Sequence, residues 1–249
     1  MKQMQTKEKI FSGTTKTIYR SDEEYFGLMS FEDTHRTKEG KIIEISGKGA
    51  INNSISSFVM NKLSLVGIEN HFIKKANMRQ QLIQLVDVLP IQVNICTVAC
   101  GNYVEKFGLD EGFVFDTPVV EYRVKSPDLQ YPVINEDQMI NFGWLIKEEL
   151  KELKIQARRV HDFLSGLFAG VGLRLTECKL EFGRVFNGEE IILLLADEIT
   201  PDNCRLWDVN SNEKFSFEAI DEAPEEAAAK YREVLARLKS FDNGGSREG

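Results

Sequence analysis

At 249 residues the chain is long enough to bury a real core, as one large domain or two small ones. A formal net charge of −8 argues against a nucleic-acid footprint, although a pocket in an acidic protein can still be locally basic and take a phosphorylated substrate. No apolar run approaches the roughly 20 residues of a membrane helix, the N-terminus is too polar for a secretory signal, and the scattered cysteines suit reduced, packed thiols. A cytoplasmic protein with no membrane or nucleic-acid partner is expected, with a homo-oligomer left open.

Residues 10–11 and 16–19 read as strands around a Ser12-Gly13-Thr14-Thr15 turn, and 25–31 as another extended run. From 49 to 67 apolar residues recur at helical spacing, with Gly67 as the stop. Strand character returns at 72–73 and 82–88. Pro90 then punctuates, and a strand resumes over 91–99. Residues 114–124 are strand-like, and Pro127 and Pro132 bracket a loop. Helical periodicity covers 136–154 and then 157–169, with Phe142 and Trp144 read as core and His161 as part of a solvated basic patch. Residues 173–186 and 190–196 are strands joined through Asn187-Gly188, a strong hairpin signal. A terminal helix over 222–238 and a disordered tail at 242–249 complete the chain. The pattern fits an α+β fold with a β-rich N-terminal lobe (1–90), an α+β lobe (91–241) and a cleft between them.

Chemistry concentrates near the last hairpin. Strand alternation puts Glu177, Lys179 and Glu181 on one face and Cys178, Leu180 and Phe182 on the other. Taken alone, this is also how a solvated face reads. The apolar run Ile191 to Ala196 alters the balance because it ends in Asp197-Glu198, and carboxylates at the end of a buried strand need a partner or a metal. Glu181 and Asp197 make an oxygen-ligand site for a hard cation. A strict two-residue Asn187-Gly188 loop sets Glu181 opposite Leu194 and sends Asp197 to the other face. The shared site therefore requires either a bulge in the hairpin or Asp197 beyond the strand. Near the N-terminus, Gly13, Thr14, Thr15 and Lys16 suit a turn whose backbone approaches phosphate, although an ordinary turn accounts for the segment equally. In Thr200-Pro201-Asp202-Asn203-Cys204-Arg205, the arginine can clamp a phosphate or carboxylate.

Together these segments resemble the SAICAR synthetase family, from about Lys7 to Asp208. The likeness is carried by Lys179-Leu180-Glu181-Phe182-Gly183 and Asp197-Glu198-Ile199-Thr200-Pro201-Asp202 through Arg205-Leu206-Trp207-Asp208. Gly13 to Tyr19, Lys48-Gly49 with Asn52-Asn53, and Leu89-Pro90-Ile91 support it. The resemblance implies a two-lobed fold related in outline to ATP-grasp enzymes and kinases. It also implies an ATP- and magnesium-dependent ligase that activates a carboxylate before an amino-acid amine attacks it. Carried over by position, Gly13, Thr14, Thr15 and Lys16 cover phosphates, Lys179 contacts them, and Glu181 and Asp197 hold magnesium. Lys179, Glu177 and Arg205 form the catalytic set, and Arg205, Asp202, Asn102, Lys125 and Cys96 face the substrates.

Departures from the family pattern cluster on the substrate side. Gln92, Cys96 and Asn102 replace a glutamate, an arginine and a serine. Thr37 to Glu39 replace a Gly-Asp-Gly loop, and Pro127, Tyr131 and the Phe215 to Ala219 segment also differ. Two readings follow. One is the family's own reaction with altered residues. The other is a paralogue joining a different carboxylate to a different amine. A small-molecule kinase is a third reading, from another class.

Overall fold

The structure, a computed structural model, describes residues 8–243. Along the chain run β1 (Lys9–Ser12), β2 (Lys16–Arg20), β3 (Phe26–Phe31), β4 (Thr34–Arg36), β5 (Ile42–Glu44), α1 (Lys48–Leu65), β6 (Phe72–Lys75), β7 (Gln80–Gln84) and β8 (Asp87–Val98). Then come α2 (Asn102–Phe107), β9 (Val114–Val124), β10 (Val133–Ile134), α3 (Glu136–Asn141) and α4 (Lys147–Ala169). The chain ends with β11 (Leu173–Phe186), β12 (Ile191–Ala196), β13 (Cys204–Asp208), α5 (Phe217–Glu222) and α6 (Pro224–Asn243). Among the described residues no helix is long and apolar enough to cross a membrane.

Contacts divide the described chain into two compact units, and the division differs from the expected break at residue 90. The first unit takes 8–85, 198–202 and 214–243, and the second takes 86–197 and 203–213. The reason lies in α1, whose residues Ile55, Val59, Met60 and Leu63 are all buried. One face of this helix packs on β3, β6 and β7, and α6 packs against it as well. An 18-residue helix with that much apolar surface needs a second cover, which α6 supplies; Tyr231, Val234 and Leu238 on α6 are buried. The expected tail starts inside α6, and residues 244–249 lie outside the described part of the chain.

The first unit is built on an antiparallel five-stranded sheet in the order β1-β2-β3-β7-β6. Asp33 holds the start of α1. Its two oxygens accept from the Gly47 and Gly49 N–H groups at 3.1 and 2.8 Å, and from both terminal nitrogens of Arg79 at 2.7 Å. These amides are among the N–H groups that a helix start leaves without internal partners. Gly49 admits no side chain, because a Cβ there meets the Phe31 carbonyl oxygen at 2.4 Å.

The second unit is an antiparallel sheet in the order β10-β9-β8-β11-β12, with β13 also on β11. β8 occupies one edge of β11, while β12 and β13 divide the other edge between them. Pro90 does not interrupt β8. The strand runs through it, and the register against β11 slips between Glu181 and Gly183, where a residue without an N–H is tolerated. The helical region breaks at 142–146 rather than near 155, because Gly143 takes the left-handed conformation (φ 71°). That exit leaves Phe142 exposed, contrary to expectation, and Trp144 half-buried against its edge. α4 lays its apolar stripe on β11 and β12. His161 is buried on that stripe, not solvated, with Nε2 3.3 Å from Ser165 Oγ.

The Arg79 hydrogen bonds hold the Asp33 carboxyl down at about 2, against an ordinary 3.8. A folded-state value below the unfolded one adds stability above about pH 4, and that contribution disappears as pH falls toward 2. Asp33→Asn is expected to lower unfolding free energy at pH 7 by about 2 kcal/mol. In urea unfolding, the gap from wild type should narrow between pH 5 and pH 3. A gap independent of pH would assign the effect to helix capping without the charge.

Candidate active site

The second unit carries a polar sheet face organised in three cross-strand rows. Glu177 lies opposite Cys96, which pairs onward with Val119. Lys179 lies opposite Asn94 and then Glu121, and Glu181 lies opposite Gln92 and then Arg123. Glu177, Lys179 and Glu181 therefore share a face, as alternation along the strand predicts. On the other edge of β11, Arg205 pairs with Glu177 in register, and its Nε donates to Glu177 Oε2 at 2.6 Å. Gly101 seats that guanidinium: a Cβ there falls 2.6 Å from an Arg205 terminal nitrogen. This places the start of α2, with Asn102, beside Arg205. Lys125 Nζ donates to Glu181 Oε2, and Arg123 Nε donates to Glu121 Oε1 at 2.6 Å. Burial pushes the Lys179 ammonium below its ordinary value. Glu177 opposes that shift, and the Arg205 and Arg123 charges reinforce it.

Asp197 reaches this region by the second of the two expected routes. The β11–β12 ladder contains no bulge, and Asn187 N–H closes on the Glu190 carbonyl at 3.1 Å, so the tip of the turn is Gly188-Glu189. Glu181 consequently faces Ala196 instead of Leu194. Asp197 is the next residue, outside the ladder, with φ 66°. Aspartate is one of the few side chains that adopt this conformation readily. Among the described residues no three His, Cys, Asp or Glu side chains cluster as a metal site. The donor set here is two carboxylates with no imidazole or thiol. That suits magnesium, which commonly takes one or two carboxylates and fills its remaining positions with phosphate oxygens and water.

In the first unit the predicted turn is a hairpin between β1 and β2, closed by Gly13 N–H donating to the Lys16 carbonyl at 2.9 Å. Thr34 Oγ1 donates to the Thr14 carbonyl, and the Thr15 carbonyl accepts from Glu32 N–H at 2.8 Å. Lys16 Nζ lies 2.9 Å from Glu198 Oε1, and Thr200 Oγ1 donates to the other oxygen at 2.7 Å. The Lys16 charge is thus aimed by a buried carboxylate. Asp202, expected to face substrate, has a different setting. Its Oδ2 accepts from Lys48 Nζ at 2.5 Å and Asn52 Nδ2 at 2.7 Å, and its Oδ1 accepts from Tyr231 at 2.7 Å. Burial works to raise its carboxyl, but the Lys48 charge and these donors hold it below the ordinary range. We assign Asp202 a holding role.

Cys96 also departs from its expected setting. It packs with Val98, Cys100 and Trp207, and its Sγ donates to the Val98 carbonyl at 3.0 Å. The neighbouring Cys100 and burial both push its thiol upward. A cavity of about 340 Å³ lies elsewhere in this unit, lined by Val93, Ile95, Tyr122 and His161 among others, and holds none of the expected residues. Sequence reasoning missed Asn94, Glu121 and Arg123, although the alternation of Val119, Glu121 and Arg123 along β9 is visible in the sequence. It also missed the Glu198 and Tyr231 contacts, which join residues far apart in the chain.

All four cysteines are buried thiols outside any disulfide. Native protein at pH 8 is expected to show no fast thiol toward a disulfide reagent, and denatured protein to show all four. One rapid thiol, mapped to Cys96, would contradict its packed position.

Comparison with known proteins identifies the family. The SAICAR synthetase family profile matches residues 9–238. The phosphoribosylaminoimidazole-succinocarboxamide synthase of Rickettsia bellii (strain OSU 85-389) is 54% identical over 233 residues, covering 94% of this chain and 99% of the relative. Among solved structures, the Ehrlichia chaffeensis enzyme of that name superposes with a TM-score of 0.90 at 37% identity, covering 93% of this chain and 98% of its own. A type-2 SAICAR synthetase in complex with ADP gives 0.87 at 28% identity, with 92% and 97% covered. The chain belongs to the SAICAR synthetase family.

Proposed function

We infer that this chain is an ATP-dependent carbon–nitrogen ligase that makes SAICAR from carboxyaminoimidazole ribotide and aspartate, releasing ADP and phosphate. The support is that a relative 54% identical over 94% of the chain carries that enzyme's name, and that an ADP-bound neighbour shares the fold. This level of likeness favours the family's own reaction over a paralogue. The substitutions at Gln92 and Cys96 then read as a rearranged substrate side, with Arg123 available on the same face as the Cys96 row.

In the mechanism, a substrate carboxylate oxygen attacks the γ-phosphorus and the bond to the ADP oxygen breaks. The amine of aspartate then attacks the acyl carbon, phosphate leaves with its bridging oxygen, and the amine's proton passes to solvent or a nearby base. Covalent activation divides one hard acyl transfer into two easier steps. Lys179, Glu177 and Arg205 are the proposed catalytic group. Lys179 contacts phosphate, and Glu177 orients Arg205 toward the acidic substrate through the 2.6 Å pair. Gly13, Thr14, Thr15 and Lys16 are proposed to meet phosphate oxygens. Asn102 and Lys125 are proposed on the substrate side. Glu181 and Asp197 are the proposed magnesium ligands, and a bound ion there neutralises charge on the phosphate oxygens. The substrates are small and soluble, which suits the cytoplasm.

The observation that carries this reading is the juxtaposition of Glu181, opposite Ala196, with Asp197, the next residue along. Asp197→Asn should fold normally, since asparagine also adopts positive φ. With ATP, magnesium, carboxyaminoimidazole ribotide and aspartate it should lose more than about a hundredfold in ADP release. Full turnover would remove Asp197 from the metal site. Wild-type ADP release should require aspartate. Release without any amine would instead indicate a kinase.

A further inference from the structure

One face of the first unit's sheet has a polar residue at each end and apolar residues between. Strand register puts Lys16 opposite Phe31, and Ile18 opposite Met29, which pairs onward with Gln81. Lys16, Ile18, Phe31, Met29 and Gln81 therefore share this face, joined by Ile83 two residues beyond Gln81. Ile18, Met29, Phe31 and Ile83 form one apolar cluster. Gln81 beside them is 1% exposed, and neither its Nε2 nor its Oε1 has a hydrogen-bond partner among the described residues. It is the only described residue whose carboxamide is buried with both ends unmet. Each unmet group destabilises the folded chain, a penalty that a methionine of similar size would avoid in this surrounding. A buried amide with a spare donor and a spare acceptor suits a ligand that presents the opposite pair.

Adenine presents that pair: an exocyclic amine that donates and an adjacent ring nitrogen that accepts, which is how glutamine reads adenine in nucleic acids. The spacing also fits. Gln81 lies two strands across and two residues along from Lys16, a separation of about 12 Å, within the reach of an extended nucleoside triphosphate. We propose that the Gln81 carboxamide reads the base of the nucleotide, with the apolar row of Ile18 and Met29 beneath it and the phosphates toward the Gly13–Lys16 hairpin. This inference rests on the ATP-dependent reading above and adds the residue that sets base preference.

The test is calorimetric binding with magnesium, using ADP and purine riboside diphosphate, which lacks the exocyclic amine. Wild type should bind ADP about tenfold more tightly than the analogue. Gln81→Met and Gln81→Leu, with folding checked by thermal melting, should weaken ADP binding about tenfold and bind both diphosphates equally. A merely structural role would weaken both ligands alike and leave the preference in place, which overturns the proposal. Equal binding by wild type overturns it without any variant. Neither result touches the ligase reading, which stands or falls on aspartate-dependent turnover.

Discussion

Nearly everything on the second unit's polar face follows from the alternation of a single strand. β11 is fourteen residues long and bonded along both edges, so its pleat cannot slip without moving three neighbouring strands. That rigidity keeps Glu177, Lys179 and Glu181 on one side and Cys178, Leu180 and Phe182 in the core on the other. A side chain on a strand with ladders on both edges is more accurately placed than one on a loop, and acyl and phosphoryl transfer depend on such placement.

The second recurring feature is that cations are held by carboxylates within the same unit. Arg205 rests on Glu177, Lys125 on Glu181, Lys16 on Glu198 and Lys48 on Asp202. These pairs serve different ends. The Lys48–Asp202 pair is buried, and Asn52 and Tyr231 satisfy its remaining capacity, so removing one member would strand a charge in a low-dielectric interior. The pairs on the polar face are only partly buried, and in the proposed reaction they would orient charges toward a negatively charged substrate. On the same face, burial is the chief cause that lowers the Lys179 ammonium, so a phosphate beside it would favour the charged form that burial disfavours.

Much of this was legible from the chain alone, for identifiable reasons. β9 and β11 have clear period-two patterns and flanking turn residues, and their structural limits coincide with the expected ones. The common face of Glu177, Lys179 and Glu181 follows from alternation and needs no tertiary information. The hairpin register was not legible, because Asn187-Gly188 specifies a tight turn but not which two residues form its tip. Pro90 misled because a proline at a register slip looks the same in sequence as a proline that ends a strand. Asp202 and Cys96 were misplaced for another reason. Family position assigns a residue to a region, but only its contacts with Lys48, Tyr231, Cys100 and Trp207 reveal which way it faces.

The discontinuity of the first unit has a consequence for biosynthesis. Its five-stranded sheet and α1 leave the ribosome early, yet α6, which packs on α1, follows more than 150 residues later. The second unit's long continuous stretch can condense while the chain is still tethered in the exit tunnel. The earlier-made sheet must wait for α6, with the apolar side of α1 open to solvent or to a chaperone until that helix emerges. Nascent polypeptides stalled before residue 224 should therefore be the aggregation-prone species.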